Sequence, residues 1–126
     1  MKNDDQPHNP ELAAIFARIA YLMDGTGDKL TDVNAQNMLG EAPLHRVARK
    51  GDINDRKILL EAGANPNLPG EYGFTPLHYA AAWGHHEFVS LLLAYGADKE
   101  QTNDDGITAL QYVVNDTDQR MKDLLR

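Results

Sequence analysis

The chain has 126 residues, 42% hydrophobic and 25% charged, with 12 basic against 19 acidic side chains for a formal charge of -7. That length fits one domain with its own core, and the acidic balance argues against nucleic acid and anionic membranes as partners, because phosphate-binding surfaces are basic. The absence of cysteine excludes disulfides, thiolate zinc sites and a cysteine nucleophile, and fits a reducing, cytoplasmic setting.

The first segment, MKNDDQPH at 1–8, carries two aspartates where a secretory leader is positive, and a disordered tail is expected there. NPELAAIFARIAYLMDG then reads as an amphipathic helix. Asn9 is placed to cap it, and Pro10 sits at the first position, where no amide hydrogen is needed. Leu12, Ile15, Phe16, Ile19 and Met23 form the apolar stripe, while Arg18 interrupts any membrane-spanning run. The pattern leaves open whether this region holds one helix or two. The glycines of DGTGDK, 24–29, lack the strand-loop-helix frame of a phosphate loop and read as a flexible connection.

From residue 32 onward the chain repeats itself. Gly40, Gly73 and Gly106 are 33 residues apart, as are Leu44, Leu77 and Leu110. Gly51 corresponds to Gly84, and Gly63-Ala64-Asn65 to Gly96-Ala97-Asp98, with no gap anywhere. Within the middle unit Thr75 is placed to cap a first helix, with Pro76 at its first turn. Leu77, Ala80 and Ala81 share one face, and the small alanines permit close stacking. Gly84 is expected to end that helix with a positive φ, which glycine adopts without strain. A second helix follows, with Phe88, Leu91, Leu92 and Tyr95 at helical spacing and Gly96 at its end. One such helix pair cannot bury its own apolar face, so the units must stack to be stable.

A 33-residue period with A-P-L-H at Ala42–His45 and T-P-L-H at Thr75–His78 resembles the ankyrin repeat. The resemblance covers about 32–126 and is closest over 73–98. It implies an all-α solenoid of stacked helix-turn-helix units with short β-turn or hairpin loops. It also implies a degenerate N-terminal cap at 9–36, repeats at 37–69 and 70–102, and a truncated C-terminal cap at 103–126. In the last unit Ala109, Gln111 and Thr117 replace the proline, histidine and glycine of the pattern.

The histidines raise the question of an enzyme. His45 and His78 recur at the period, and the resemblance assigns them a structural role with Thr75, Pro43, Pro76, Gly51, Gly84, Gly63 and Gly96. Ala42 replaces the threonine in the first unit, so His45 is expected to lose one partner. His85-His86-Glu87 matches the family's G-H-x-E and not the H-E-x-x-H zinc motif; adjacent helix positions point apart. Asp104-Asp105 lies at a repeat turn without a calcium loop's length. Asp116 and Asp118 read as solvated carboxylates of the polar cap. No cofactor or metal is expected.

The family's contact positions fall on the turn tips and the open flank of each first helix. Carried over one by one, they are Met38, Leu39 and Glu41, then Glu71, Tyr72 and Phe74, then Asp104, Asp105 and Ile107 at the tips. The helix positions are Arg49 and Lys50, then Ala82 and Trp83, then Asn115 and Asp116. Tyr72, Phe74 and Trp83 are expected close together, between a basic and an acidic pole. The implied function is non-catalytic binding of another protein, of basic character, on a concave face, by a monomer. A dedicated inhibitor, such as an immunity protein blocking a bacterial toxin or effector, is the narrower alternative; a metal-dependent enzyme is the more distant one.

Overall fold

The computed structural model describes residues 9–24, 32–49, 53–114 and 116–126. Among them lie six α-helices and no strand: α1 (Pro10–Asp24), α2 (Pro43–Arg49), α3 (Ile53–Glu61), α4 (Pro76–Ala82), α5 (His86–Ala94) and α6 (Gln119–Leu125). The tail at 1–8, the glycine connection at 25–31, and Lys50, Gly51 and Asn115 lie outside the described residues.

Local chemistry sets the helix boundaries. The Asn9 carboxamide oxygen accepts from the Glu11 and Leu12 amides at 2.8 and 3.4 Å, so α1 starts where an asparagine cap and a first-turn proline place it. Among the described residues the first region contributes one helix of 15 residues, on which Ile15, Phe16 and Ile19 are buried. At α4 the Thr75 hydroxyl accepts from the His78 amide at 3.4 Å, while His78 Nδ1 accepts from the Thr75 amide at 3.1 Å. This is a reciprocal cap in which an imidazole takes the role usually played by glutamate. Beyond α4, Gly84 turns the chain at φ 74°, where a side chain would be strained.

The second helix of the middle unit buries a narrower stripe than expected. Phe88, Val89 and Leu92 are sealed, each worth roughly 1.5–3 kcal/mol in removal from water. Tyr95 is 40% exposed, because the helix ends at Ala94 and its ring lies past the packed turns.

The third unit departs most. Its cap forms: the Gln111 side-chain oxygen accepts from the Thr108 amide at 2.9 Å and from the Thr108 hydroxyl at 3.3 Å. Only a single 3-10 turn follows, Leu110–Tyr112, and Val113 is extended at φ -70° and ψ 103°. Val113 and Val114 stand where Ala80 and Ala81 stand one unit earlier, and β-branched side chains resist the helix that alanines favour. The first helix expected to reach Asp116 is therefore not formed at Val113 and Val114, and Asp116 lies in a turn.

The helices stack in two layers. α2, α4 and the 3-10 turn at Leu110–Tyr112 follow one another in the first; α3, α5 and α6 follow in the second; α1 closes against α2 and α3. One continuous core runs between the layers, from Ile15 and Phe16 through Leu44, Leu59, Leu77, Phe88 and Leu92 to Met121 and Leu125.

Candidate functional site

Two recurring sets of polar groups tie the loops of the stack to its helices and to one another. His78 Nε2 donates to the Ile107 carbonyl of the next unit at 2.8 Å, which leaves Nδ1 to accept from both the Thr75 amide and the Thr75 hydroxyl, the latter at 2.8 Å. His45 Nε2 donates to the Leu68 carbonyl at 2.7 Å, and its Nδ1 accepts from the Ala42 amide alone at 2.9 Å, one partner fewer than His78 has. Burial lowers the pKa of both imidazoles, so each is held neutral in the tautomer its carbonyl acceptor requires. On the loops after the second helices, Asn34 donates to the Gly63 carbonyl and accepts from the Asn65 amide at 3.1 and 2.8 Å. Asn67 repeats this 33 residues on, with Gly96 and Asp98 at 3.0 and 2.7 Å.

A row of rings lies along the open flank of the first helices. Phe74 stacks on Tyr79 at 5.6 Å and meets Tyr112 edge-on at 5.2 Å; Arg49 lies over Tyr79 at 5.3 Å from its centroid. Arg49 also pairs with Glu41 at 2.8 Å, and the other Glu41 oxygen accepts from the Tyr79 hydroxyl at 3.3 Å. Burial, helped by the Glu41 charge, pushes the Tyr79 phenol up to about 12. These contacts correct the expected geometry. Glu41 is only 4% exposed, so its side chain is not open to a partner at the tip. Arg49 is not an open basic pole, because its charge is met by Glu41. Phe74 is half-buried among rings of two units. It does not form a cluster with Trp83, which caps the opposite end of seven-residue α4, about 10 Å away at 1.5 Å per residue.

Three tips share one turn. The amides of Asn37, Gly70 and Asn103 donate to the carbonyls of Glu41, Phe74 and Ile107 at 2.9, 2.8 and 3.0 Å. In the first and third tips an asparagine side chain closes the loop: Asn37 accepts from Leu39 and Glu41, and Asn103 from Asp105 and Ile107. Gly70 cannot do this. A Cβ on Gly70 would lie 2.9 Å from the His45 ring, so glycine is the residue that fits. The middle tip instead forms a 3-10 turn in which Tyr72 takes φ 56°, the only positive φ among the described residues other than glycine. The Tyr72 carbonyl accepts from the Asp104 amide of the next tip at 3.0 Å.

What remains open is a graded surface. Met38 is 100% and Leu39 56% exposed on the first tip, Tyr72 69% on the second, and Trp83 63% at the end of α4. Asp104, Asp105 and Asp116 are exposed further along, while Glu71, Ala82 and Ile107 are partly covered. The order along the stack is apolar, aromatic, acidic. Val114, 78% exposed, was not among the expected contact residues. Its register places it at the buried Ala81 position, and only the missing helix turns it outward.

The remaining histidines do not converge. His85 Nε2 faces the Arg49 carbonyl at 3.5 Å, and burial with the nearby Arg56 charge lowers its pKa. His86 Nε2 donates to both oxygens of Asp118 at 2.8 Å. Asp118 also accepts from the Met121 amide at 3.1 Å, so it is a helix cap and the hydrogen-bond partner of His86 and not a merely solvated carboxylate. The His86 hydrogen bond, with the Met121 amide, holds the Asp118 carboxyl below the usual carboxylate range. A depression of about 240 Å³ lies beside His85 and His86, bordered by Arg56 and Arg120. Its two imidazoles reach to opposite neighbours, α2 and α6, and share no common point at which a substrate atom would sit. Among the described residues no three histidine, aspartate or glutamate side chains gather as a metal site. No described helix is long and apolar enough to cross a membrane.

Comparison with known proteins agrees with the stacking. The family profile described as ankyrin repeats (3 copies) matches residues 12–103. No curated protein matches the chain. Ankyrin repeats are generally protein–protein interaction modules. With that match spanning nearly three quarters of its length, and with helix pairs stacked at the repeat interval, the chain belongs to the ankyrin repeat family.

Proposed function

We propose that the chain binds another protein, without catalysing a reaction on it, through its turn tips and the open flank of α4. The observation that carries this reading is the set of large apolar side chains left in water at Met38, Leu39, Tyr72 and Trp83. Met38, Leu39 and Tyr72 stand on adjoining tips and Trp83 at the far end of α4, and exposed tyrosine and tryptophan are frequent interface anchors. Asp104, Asp105 and the net charge of -7 favour a basic partner and would steer its approach. A cytoplasmic location accords with this reading.

A dedicated inhibitor is the second reading, favoured by the acidic third tip, which suits the basic rim of an enzyme that acts on an anionic substrate. Affinity capture with the wild-type chain, Tyr72→Ala and Trp83→Ala as baits tests the first reading, followed by calorimetry on the reconstituted complex. The expected result is binding weakened about tenfold or more in at least one variant, with thermal stability unchanged. Undiminished binding in both variants overturns it. Loss of the partner's own activity in a one-to-one complex favours the inhibitor; retained activity favours an adaptor.

A further inference from the structure

The third unit leaves a notch that a complete unit would fill. α2 packs along α4 from the N-terminal side over seven residues. On the other side the third unit offers only the three-residue turn Leu110–Tyr112, and the chain then leaves in extended form at Val113. Between the last turn of α4 and this extended segment lies a depression of about 240 Å³, lined by Ala82, Trp83, Gly84, Val113, Val114 and Asp118. Trp83 and Val114 flank it, 63% and 78% exposed, and neither belongs to the core.

The size and charge of the notch select its occupant. It is smaller than pockets for drug-sized molecules, about 300–1,000 Å³, and matches one or two side chains. Among its described lining residues the only ionisable group is Asp118. That carboxylate accepts from His86 and Met121, yet a carboxylate has about four lone-pair sites, so acceptor capacity remains. Asp116, two residues before it, has its side chain 98% exposed; Lys122 Nζ lies 4.0 Å from its carboxylate and bonds its backbone carbonyl at 2.8 Å.

We propose that this notch docks a partner segment carrying an aliphatic or aromatic side chain beside a lysine or arginine. The apolar side chain enters between Trp83 and Val114, and the cation meets the carboxylates of Asp118 and Asp116. An acidic segment is rejected by like charge, and a wholly polar one leaves groups unpaired against Trp83 and Val114. This rests on the protein-binding reading and specifies what the partner brings to it.

The test selects a random dodecapeptide library, displayed on phage, against the full chain. Recovered peptides are titrated by calorimetry and mapped by amide chemical shifts. The expected outcome is enrichment of apolar residues adjoining lysine or arginine, with shifts at Trp83, Val113, Val114 and Asp118. Val114→Asp then weakens binding about tenfold or more, while Tyr72→Ala leaves it within about twofold. Val114 is exposed, so that variant is expected to fold; circular dichroism checks this. Enrichment of acidic or wholly polar peptides, no enrichment, or binding indifferent to Val114→Asp overturns the proposal. Peptides lost in Tyr72→Ala but kept in Val114→Asp overturn the notch alone and leave the tip surface standing. Indifference to both variants counts against both readings.

Discussion

His86 Nε2, at the start of α5, lies 2.8 Å from each carboxylate oxygen of Asp118, the residue that caps α6. One carboxylate thus starts the last helix and fastens it to its neighbour. Asp118→Ala removes both functions, and hydrogen exchange is expected to speed up across α6 while α4 and α5 stay protected. The folded carboxyl titrates below its ordinary 3.8. Its contribution is therefore complete above about 3.8 and is lost as pH falls through the lower folded value. Equal exchange in α6 of wild type and Asp118→Ala at neutral pH would refute this role.

The buried histidines set a second, higher pH window. His45 and His78 both have folded pKa values lowered from 6.5 by burial. Below 6.5 the unfolded chain binds protons that the folded chain refuses, so stability is full above that pH and declines as pH falls through the folded values. The slope is at most about 1.4 kcal/mol per pH unit for each histidine. His78→Gln is expected to flatten the profile by one histidine's share, since Gln111 already caps Thr108 in the third unit. Urea midpoints between pH 5 and 7.5 measure it, and an unchanged slope would contradict the assignment.

Gly70 is a site where copying the neighbouring units is harmful. Asparagine occupies the same position at 37 and 103 and closes the tip there. At 70 the His45 ring comes within 2.9 Å of where the first side-chain carbon would go. Gly70→Asn and Gly70→Ala are each expected to destabilise by about 1–3 kcal/mol through overpacking. Denaturant unfolding checks this; a stabilised Gly70→Asn would mean that the ring yields freely.

Tyr72 separates folding from binding. Its φ of 56° is strained for a side chain, at about 1–2 kcal/mol. Tyr72→Gly removes the strain but adds freedom to the unfolded chain, so stability is expected to change by less than about 1 kcal/mol. Binding of the partner is expected to weaken about tenfold or more. A parallel fall in both quantities would identify the ring as a packing element.

Much of the architecture was legible because it recurs. Pro43 and Pro76, the paired histidines and the 33-residue glycines each report a local backbone need, and those needs repeat with the fold. The caps at Asn9 and Thr75 could be read from residue type and spacing alone. The surface was less legible, because exposure depends on cross-unit partners that spacing does not reveal. Glu41 and Arg49 looked like open positions until Tyr79 brought them together across two units. Val114 gave no signal as a surface residue, because its register matches the buried Ala81 and the 3-10 turn that ends at Tyr112 is not visible in spacing. The roles of Asp55 and Arg56 were also hidden: Asp55 holds Arg18 of α1 through two bonds at 2.9 and 3.0 Å, and Arg56 Nε donates to the Val47 carbonyl at 2.8 Å.

The bonds of the two fully buried imidazoles both run forward along the chain. His45 reaches forward to Leu68, and His78 reaches forward to Ile107. Detaching the last unit strips His78 of its acceptor and leaves a buried donor stranded in the layer before it. Detaching the first helix strips neither imidazole. Through these two imidazoles, damage at the C-terminal end is thus handed back one layer, whereas loss of α1 leaves both of them with their acceptors.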